Sequence, residues 1–140
     1  MTSLHANWAE EDPALWWSNC CALVGDLLKE SGLTANAILA VGVTGMVPAI
    51  VLLDGKGAVL RPSIQQNDAR ATQEIEEMRA RFDERAFFGL TGGSINQQVV
   101  APKLRWLERQ EPRVFAAIET VFGSYDYIGY RLTGEHSIEH

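Results

Sequence analysis

The residues best suited to binding chemistry lie in two short segments of the chain. The first, Asn67–Asp68–Ala69–Arg70, combines amide, carboxylate and guanidinium groups. Asn and Asp together present the donors and acceptors that pair with the hydroxyl groups of a sugar. The alternative, from the residues alone, is that Asp68 only caps a helix and that Arg70 is only a surface charge.

The second candidate segment, Thr44–Pro48, follows an apolar run that predicts a strand. In open α/β sheets, ligands bind beyond the carboxyl ends of the strands, where the connecting loops diverge. This segment is therefore the second candidate for a loop that contacts a ligand.

Other residues whose types could take part in catalysis or binding are better explained by structural roles. Gly55–Lys56–Gly57 lacks the spacing of a phosphate-binding loop and lies between two predicted strands, which favours a hairpin turn. Thr91–Gly92–Gly93–Ser94 has no strand before it, which favours a plain loop but leaves a ligand-bordering loop open. Cys20 and Cys21 are adjacent, and the histidines lie near the termini, so we predict no metal site and no catalytic residue among them.

The composition predicts one globular domain over residues 1–140. Hydrophobic residues make up 46% and charged residues 21% of the 140 positions. The net charge of −6 argues against nucleic acid or an acidic membrane as partner, because both need clustered Lys and Arg. The polar start, residues 1–11, is unlike a signal peptide, and the apolar run Ala37–Val43 is too short for a bilayer. With two thiols expected to be reduced, we predict a cytoplasmic protein.

The elements that must position the two segments follow from periodicity and capping signals. Apolar residues at helical spacing after Asp12-Pro13 predict a helix that ends at Gly32. Ile38–Thr44 predicts a buried strand, and 49–53 with 58–60 predicts a small β-hairpin around the turn at 54–57.

The second half of the chain reads as mostly helical. We predict a helix capped by Asp68 that runs to Arg81, a turn-rich stretch at 87–93, and helices that begin at Pro102 and at Pro112, the latter continuing to Phe122. A last helix covers Ser124–Leu132. The fold class is therefore α/β and helix-rich, with one buried core strand and a hairpin. So few strands do not form an independent sheet.

Several motifs, in order along the chain, resemble those of the FGGY family of carbohydrate kinases, in particular its xylulokinases. The resemblance covers about Trp8–Glu135, and the matching segments are Trp8–Pro13 with Trp16-Trp17, Ile38–Pro48, Leu52–Asp54 with Val59–Pro62, Asn67–Arg70, Lys103–Leu107 with Glu111-Pro112, and Asp126-Tyr127 with Arg131–Glu135. Each motif is weak alone, and their common order is what makes the resemblance specific.

The resemblance implies a fold, an activity and a set of sugar-contacting residues. The fold would be part of an RNase H-like, actin-related ATPase domain. The activity would be phosphoryl transfer from ATP, with Mg²⁺, to a hydroxyl of a sugar or polyol. The substrate-binding residues would be Met46, Val47, Gln66, Asn67 and Asp68. We expect Met46, Asn67 and Asp68 to converge on one pocket mouth.

Two of these positions depart from the family pattern. Gln66 stands where the family has an aromatic residue, so a stacking wall for the sugar is lost. Val47 replaces a polar, hydrogen-bonding residue. Both changes put xylulose itself in doubt as the substrate.

The family's phosphate motif, Asp-x-Gly-Thr, would precede this sequence, and its catalytic aspartate would follow it. We therefore expect no catalytic or cofactor-binding residue here and no turnover by this chain alone. One alternative is a non-catalytic carbohydrate-binding or regulatory module, and another is a structural interaction domain. The missing partner strands also predict a homo-oligomer, because an unpaired apolar edge invites pairing with a second chain.

Overall fold

The computed structural model describes residues 5–137, which form a helix-rich α/β fold. Its strands and helices, in chain order, are β1 Glu10–Glu11, α1 Pro13–Ser31, β2 Val51–Leu53, β3 Ser63–Ile64, α2 Thr72–Arg81, α3 Glu84–Thr91, α4 Val100–Gln110, α5 Pro112–Ala116, β4 Thr120–Phe122 and α6 Ser124–Thr133. A short 3₁₀ helix covers Ala35–Ala37. The coarse expectation of a helix-rich α/β fold is confirmed.

The strand β2 is the centre of the core, because both of its faces are covered. Alternate residues of a strand point to opposite faces. Leu52 belongs to a cluster with Trp106 and Leu107 of α4, whereas Val51 and Leu53 belong to another cluster. The second cluster includes Phe122 of β4 and Tyr127 of α6. Full burial of one such side chain contributes about 1.5–3 kcal/mol to stability.

The predicted buried strand at Ile38–Thr44 is wrong. The structure has no strand there, and Leu39 and Val41 are 96% and 67% exposed. Within residues 5–137, the paired strands are β1 with β3 and β2 with β4, so no neighbour supplies ladder hydrogen bonds to residues 38–44. An apolar run becomes a buried strand only where a partner covers it, and the buried core strand is β2 instead.

The predicted hairpin is present as a turn, but the main partner of β2 is β4. An isolated antiparallel bridge joins Leu53 to Val59, and the Asp54 carboxylate accepts hydrogen bonds from the amides of Lys56 and Ala58 at 2.8 and 2.9 Å. Antiparallel pairing then joins Leu52 to Val121 in β4. The predicted helix from Pro112 to Phe122 is therefore wrong beyond α5, because β-branched residues near its end fit a strand beside β2.

The helix α1 has the predicted bounds, because both of its ends carry local signals. The Asp12 side chain accepts a hydrogen bond from the Ala14 amide at 2.9 Å, and Gly32 ends the helix at φ 68°. Its predicted apolar stripe is mostly uncovered, however, since Leu23 and Leu27 are 61% and 63% exposed. We call this face of α1, together with residues 38–44, the exposed apolar surface.

The remaining helices differ from expectation mainly at their starts. The helix α2 begins at Thr72 rather than at Asp68, and the stretch at 87–93, predicted as turns, lies largely in α3. The Asp83 side chain caps α3 by accepting a hydrogen bond from the Ala86 amide at 2.7 Å. The helix α4 begins two residues before Pro102. The last helix, α6, is confirmed, and Gly134 ends it in the left-handed conformation.

Candidate functional site

The five predicted sugar-contacting residues lie on two loops. The first loop, Gly45–Pro48, lies against the start of α6, where the Ser124 hydroxyl donates a hydrogen bond to the Met46 carbonyl at 2.9 Å. Gly45 makes this approach possible, because a Cβ there would lie 2.6 Å from Ser124 Oγ. Met46 and Val47 are exposed on this loop, at 58% and 56%.

The second loop, Gln65–Asp68, is a turn closed by a hydrogen bond from the Asp68 amide to the Gln65 carbonyl at 3.2 Å. The side chain of Asn67 is exposed and that of Gln66 is half-buried. These two side chains are therefore accessible from solvent, as a ligand-contacting role requires.

Asp68 differs from its neighbours because its carboxylate is turned into the protein. The carboxylate accepts hydrogen bonds from the Ala9 amide at 2.6 Å and from the Arg70 amide at 3.0 Å. The Arg70 guanidinium adds two more, at 2.8 and 2.7 Å. Burial raises the pKa of Asp68, but the hydrogen bonds from Arg70 and Ala9 outweigh it and hold the pKa below its ordinary value. With its carboxylate committed in this way, Asp68 does not cap α2, which corrects that expectation.

The guanidinium of Arg70 is also fully enclosed and lies at the centre of a buried ion network. Its carbon lies 4.0 Å from the ring centroid of Trp8 and 5.0 Å from that of Trp106. It pairs with Glu10 at 2.7 Å as well as with Asp68. Arg61 extends the network by pairing with Glu10 and Glu111. The network therefore fixes the end of the second loop to β1 and to the C-terminal end of α4.

Lys103 of α4 connects the two loops. It is 1% exposed, and its Nζ donates hydrogen bonds to the Gln65 carbonyl at 2.8 Å and to the Pro48 carbonyl at 3.4 Å. Burial lowers the pKa of Lys103 to about 8, with Asp68 acting in the opposite direction and Arg70 in the same one. We did not predict this role of Lys103 from the sequence. A signal was available, because Lys103 shares its helix face with Trp106 and Leu107, at i, i+3 and i+4.

A cavity of about 390 Å³ opens beside the first loop and is lined mainly by apolar side chains, among them Val47, Val100, Leu104 and Tyr125. Gln66, Asn67 and Asp68 are not among its lining residues. The structure thus brings the two loops together through Lys103, whereas the convergence of Met46, Asn67 and Asp68 on one pocket mouth stays a prediction.

Metal-ligating side chains are dispersed in residues 5–137, where no three His, Cys, Asp or Glu residues are grouped closely enough to hold an ion. Over the same range, none of the helices has the length and apolarity needed to cross a membrane.

Comparison with solved structures defines the class to which this fold belongs. The crystal structure of xylulose kinase from Rhodospirillum rubrum superposes with a TM-score of 0.90 at 51% sequence identity, covering 99% of this chain and 29% of that one. A crystal structure of a xyloylose kinase from Brucella ovis gives a TM-score of 0.88 at 36% identity, covering 96% of this chain and 28% of that one. The fold is thus shared with sugar kinases.

Sequence comparison gives the family. The model for the FGGY family of carbohydrate kinases, N-terminal domain, matches residues 1–140. The xylulose kinase of Escherichia coli (strain K12) is 35% identical over 131 residues, which is 94% of this chain and 26% of that relative. The chain belongs to the FGGY family of carbohydrate kinases, which confirms the resemblance found in its motifs. It spans about a quarter of the length of the curated relatives it matches.

Proposed function

We propose that this chain is part of an ATP-dependent carbohydrate kinase of the xylulokinase type. The reaction would transfer the γ-phosphoryl group of ATP to a hydroxyl of a sugar or polyol. The observation that carries the proposal is the 51% identity to the Rhodospirillum rubrum xylulose kinase, with a TM-score of 0.90 over 99% of this chain. The chain would form part of the first, sugar-binding domain, in an RNase H-like, actin-related fold.

The contribution of this chain to the reaction would be to bind and orient the acceptor. Met46, Val47, Gln66 and Asn67 would contact the sugar from two loops, and Asp68 would hold the second loop through its bonds to Ala9 and Arg70. The apolar Val47 and the cavity beside it favour an acceptor with a less polar edge than a family member with a hydrogen-bonding residue there would take.

ATP and Mg²⁺ would supply the phosphoryl group and neutralise its charge during transfer. We assign no residue of this chain to either group. We therefore propose that this chain alone is inactive, because positioning of both substrates is what catalyses phosphoryl transfer. A cytoplasmic location belongs to the same proposal, since Cys20 and Cys21 are both free.

A coupled assay for ADP release tests the proposal in the natural polypeptide that contains this sequence. A panel of pentuloses, hexuloses and polyols would serve as acceptors, with the 140-residue chain assayed in parallel. We expect sugar-dependent turnover by the natural polypeptide and none by the chain alone. Sugar binding without turnover by the natural polypeptide would favour the non-catalytic module instead, and turnover by the chain alone would contradict its proposed inactivity.

We also propose that the isolated chain self-associates. Apolar side chains of the exposed apolar surface, such as Leu27 at 63% and Leu39 at 96%, lie open to solvent. Large exposed apolar patches are typical of protein interaction surfaces. A second copy of the chain is the partner that is always present in a purified sample.

A further inference from the structure

The side chain of Lys103 places an ammonium group inside the core. Lysine is almost never fully buried, because its charge loses its hydration there. Lys103 is nevertheless 1% exposed. It lies on the face of α4 that carries Trp106 and Leu107, where an apolar residue would be ordinary.

The hydrogen bonds of Lys103 explain why a cation occupies this place. Its Nζ donates to the carbonyl of Gln65 at 2.8 Å and to that of Pro48 at 3.4 Å, two residues far apart in the chain. An ammonium group has several donors on a flexible stem, so it can serve carbonyls from different segments at once. A methionine of similar length would fill the space but would leave both buried carbonyls without this donor.

The positions of these carbonyls in the chain matter more than their number. Pro48 directly follows Val47, and Gln65 directly precedes Gln66. One side chain therefore bonds both of the loops that carry the predicted sugar contacts. A backbone bridge between Ile50 and Ile64 joins the chain just beyond these loops, where the Ile50 amide donates to the Ile64 carbonyl at 3.0 Å. Within the loops, Ser124 bonds only the first loop and Arg70 only the second.

We propose that Lys103 is a positioning residue that holds the first and second loops at a fixed separation, so that both can contact one sugar. The inference rests on the proposed kinase function for the identity of the ligand. Lys103 itself does not touch the sugar, because it is enclosed behind the loops. Its loss should therefore weaken sugar binding more than it slows the chemical step.

Two variants and one control test this role in the natural polypeptide that contains the chain. Lys103→Met removes the donors, and Lys103→Gln retains an amide group that can reach fewer acceptors. Lys56→Met is the matched control, because Lys56 is exposed in the turn after β2.

Amide hydrogen exchange followed by mass spectrometry measures directly how often the two loops open. The Ala49 amide bonds the Met46 carbonyl and the Asp68 amide bonds the Gln65 carbonyl, so peptides covering 46–50 and 65–70 report the two loops. In Lys103→Met we expect both peptides to exchange about ten-fold faster, as loss of a buried hydrogen bond implies. The peptide of α2 should keep its protection. In Lys103→Gln, the exchange rates of the two loop peptides should lie between those of Lys103→Met and those of the native protein.

Steady-state kinetics separate positioning from general damage. We expect Lys103→Met to raise the KM for the sugar about ten-fold, with kcat and the KM for ATP within about two-fold of native. An unchanged KM for the sugar, or unchanged exchange in either loop, overturns the proposal. If Lys103→Met fails to fold, the same criteria apply to Lys103→Gln.

The kinetic and exchange experiments also distinguish failure of the proposed kinase function from failure of the positioning role of Lys103. If the natural polypeptide phosphorylates no sugar, the proposed function fails, and exchange alone decides on Lys103. Joint loosening of the two loops then supports the positioning role, and unchanged protection overturns it.

Discussion

The packed region around β2 and the exposed apolar surface are built from the same residue types but have opposite environments. Leu52 and Leu53 are 1% and 0% exposed, whereas Leu27 and Leu39 are 63% and 96% exposed. The difference is the presence of neighbours, since α4, β4 and α6 enclose β2. An apolar pattern therefore indicates which side chains of a segment can be buried, whereas the neighbouring elements determine whether they are buried.

Charged residues repeat this contrast. The side chain of Arg70 is fully buried between tryptophans and carboxylates, whereas that of Arg105 is 49% exposed and pairs with Glu108, one turn further along α4. The same pairing of guanidinium with carboxylate should thus have very different consequences in the two places, because burial makes an unpaired charge costly.

The largest expected effect comes from breaking the buried ion network. Arg70→Met should lower the free energy of unfolding by about 3–5 kcal/mol, because it leaves the buried carboxylate of Asp68 without its cationic partner and removes one of the two arginines that pair with Glu10. Arg105→Met should cost less than about 1 kcal/mol, since its pairing with Glu108 is largely solvated. Urea unfolding with linear extrapolation measures both. Equal losses of unfolding free energy in the two variants would mean that burial does not change the cost of breaking such a pair.

A leucine pair tests the same comparison for apolar burial. Leu107→Ala in α4 should destabilise by about 2–5 kcal/mol, because Leu107 is 0% exposed and a cavity would remain. Leu27→Ala in α1 should change stability by less than about 0.5 kcal/mol in the monomer, since its side chain is already exposed. Both are helix positions, so propensity largely cancels. A large loss for Leu27→Ala in dilute, monomeric protein would show that α1 is covered after all.

The pH dependence of stability should report the burial of Lys103. Its folded pKa of about 8 lies below the ordinary 10.5. Between these two values the unfolded chain holds a proton that the folded chain has released, so the free energy of unfolding rises with pH. Below pH 8 both states are charged, and the cost of burying the ammonium beside Arg70 is fully present, offset in part by Asp68.

The measurement compares the native protein with Lys103→Met at pH 7 and pH 10 in matched buffers. The other titrating groups contribute equally to both proteins and cancel in the difference. We expect the stability of the native protein to rise relative to that of the variant across this interval. A difference that does not change with pH would mean that Lys103 has an ordinary pKa.

Substitutions in the exposed apolar surface should have the smallest effect on stability but a clear effect on the molecular mass of the particle in solution. Leu23→Gln with Leu27→Gln should reduce self-association while leaving the stability of the monomer nearly unchanged, because both side chains are exposed. Light scattering coupled to size exclusion at micromolar concentration measures the mass. A native chain that has only the monomer mass of 15.5 kDa would contradict the proposed self-association.

The sequence could predict those elements whose signals are local. Asp12, Pro13 and Gly32 bound α1 because a cap, an N-terminal proline and a left-handed glycine each act within a few residues. The pairing of β2 with β4 was not accessible in this way, because its partners are some 70 positions apart and neither strand exceeds three residues.

The candidate site shows the same limit. Asn67 and Asp68 could be selected from their residue types, but the inward turn of Asp68 depends on the Ala9 amide, 59 positions away. Lys103 was part of a recognisable motif, yet its role depends on carbonyls that lie 38 and 55 positions away. Contacts of this kind are set by the tertiary fold and not by the neighbouring sequence.

The burial of β2 on both faces also affects how this strand reaches the correct register with its neighbours during folding. A strand with one polar face rejects a one-residue slip, because the slip would bury polar groups. Val51, Leu52 and Leu53 are all apolar, so hydrophobicity alone hardly distinguishes one alignment from the next. The turn at Asp54 supplies the missing information, because its carboxylate receives the Lys56 and Ala58 amides and so fixes where the strand ends. A single carboxylate thereby sets the register in which β2 meets Val59 and Leu60, while the register with β4 depends on long-range contacts.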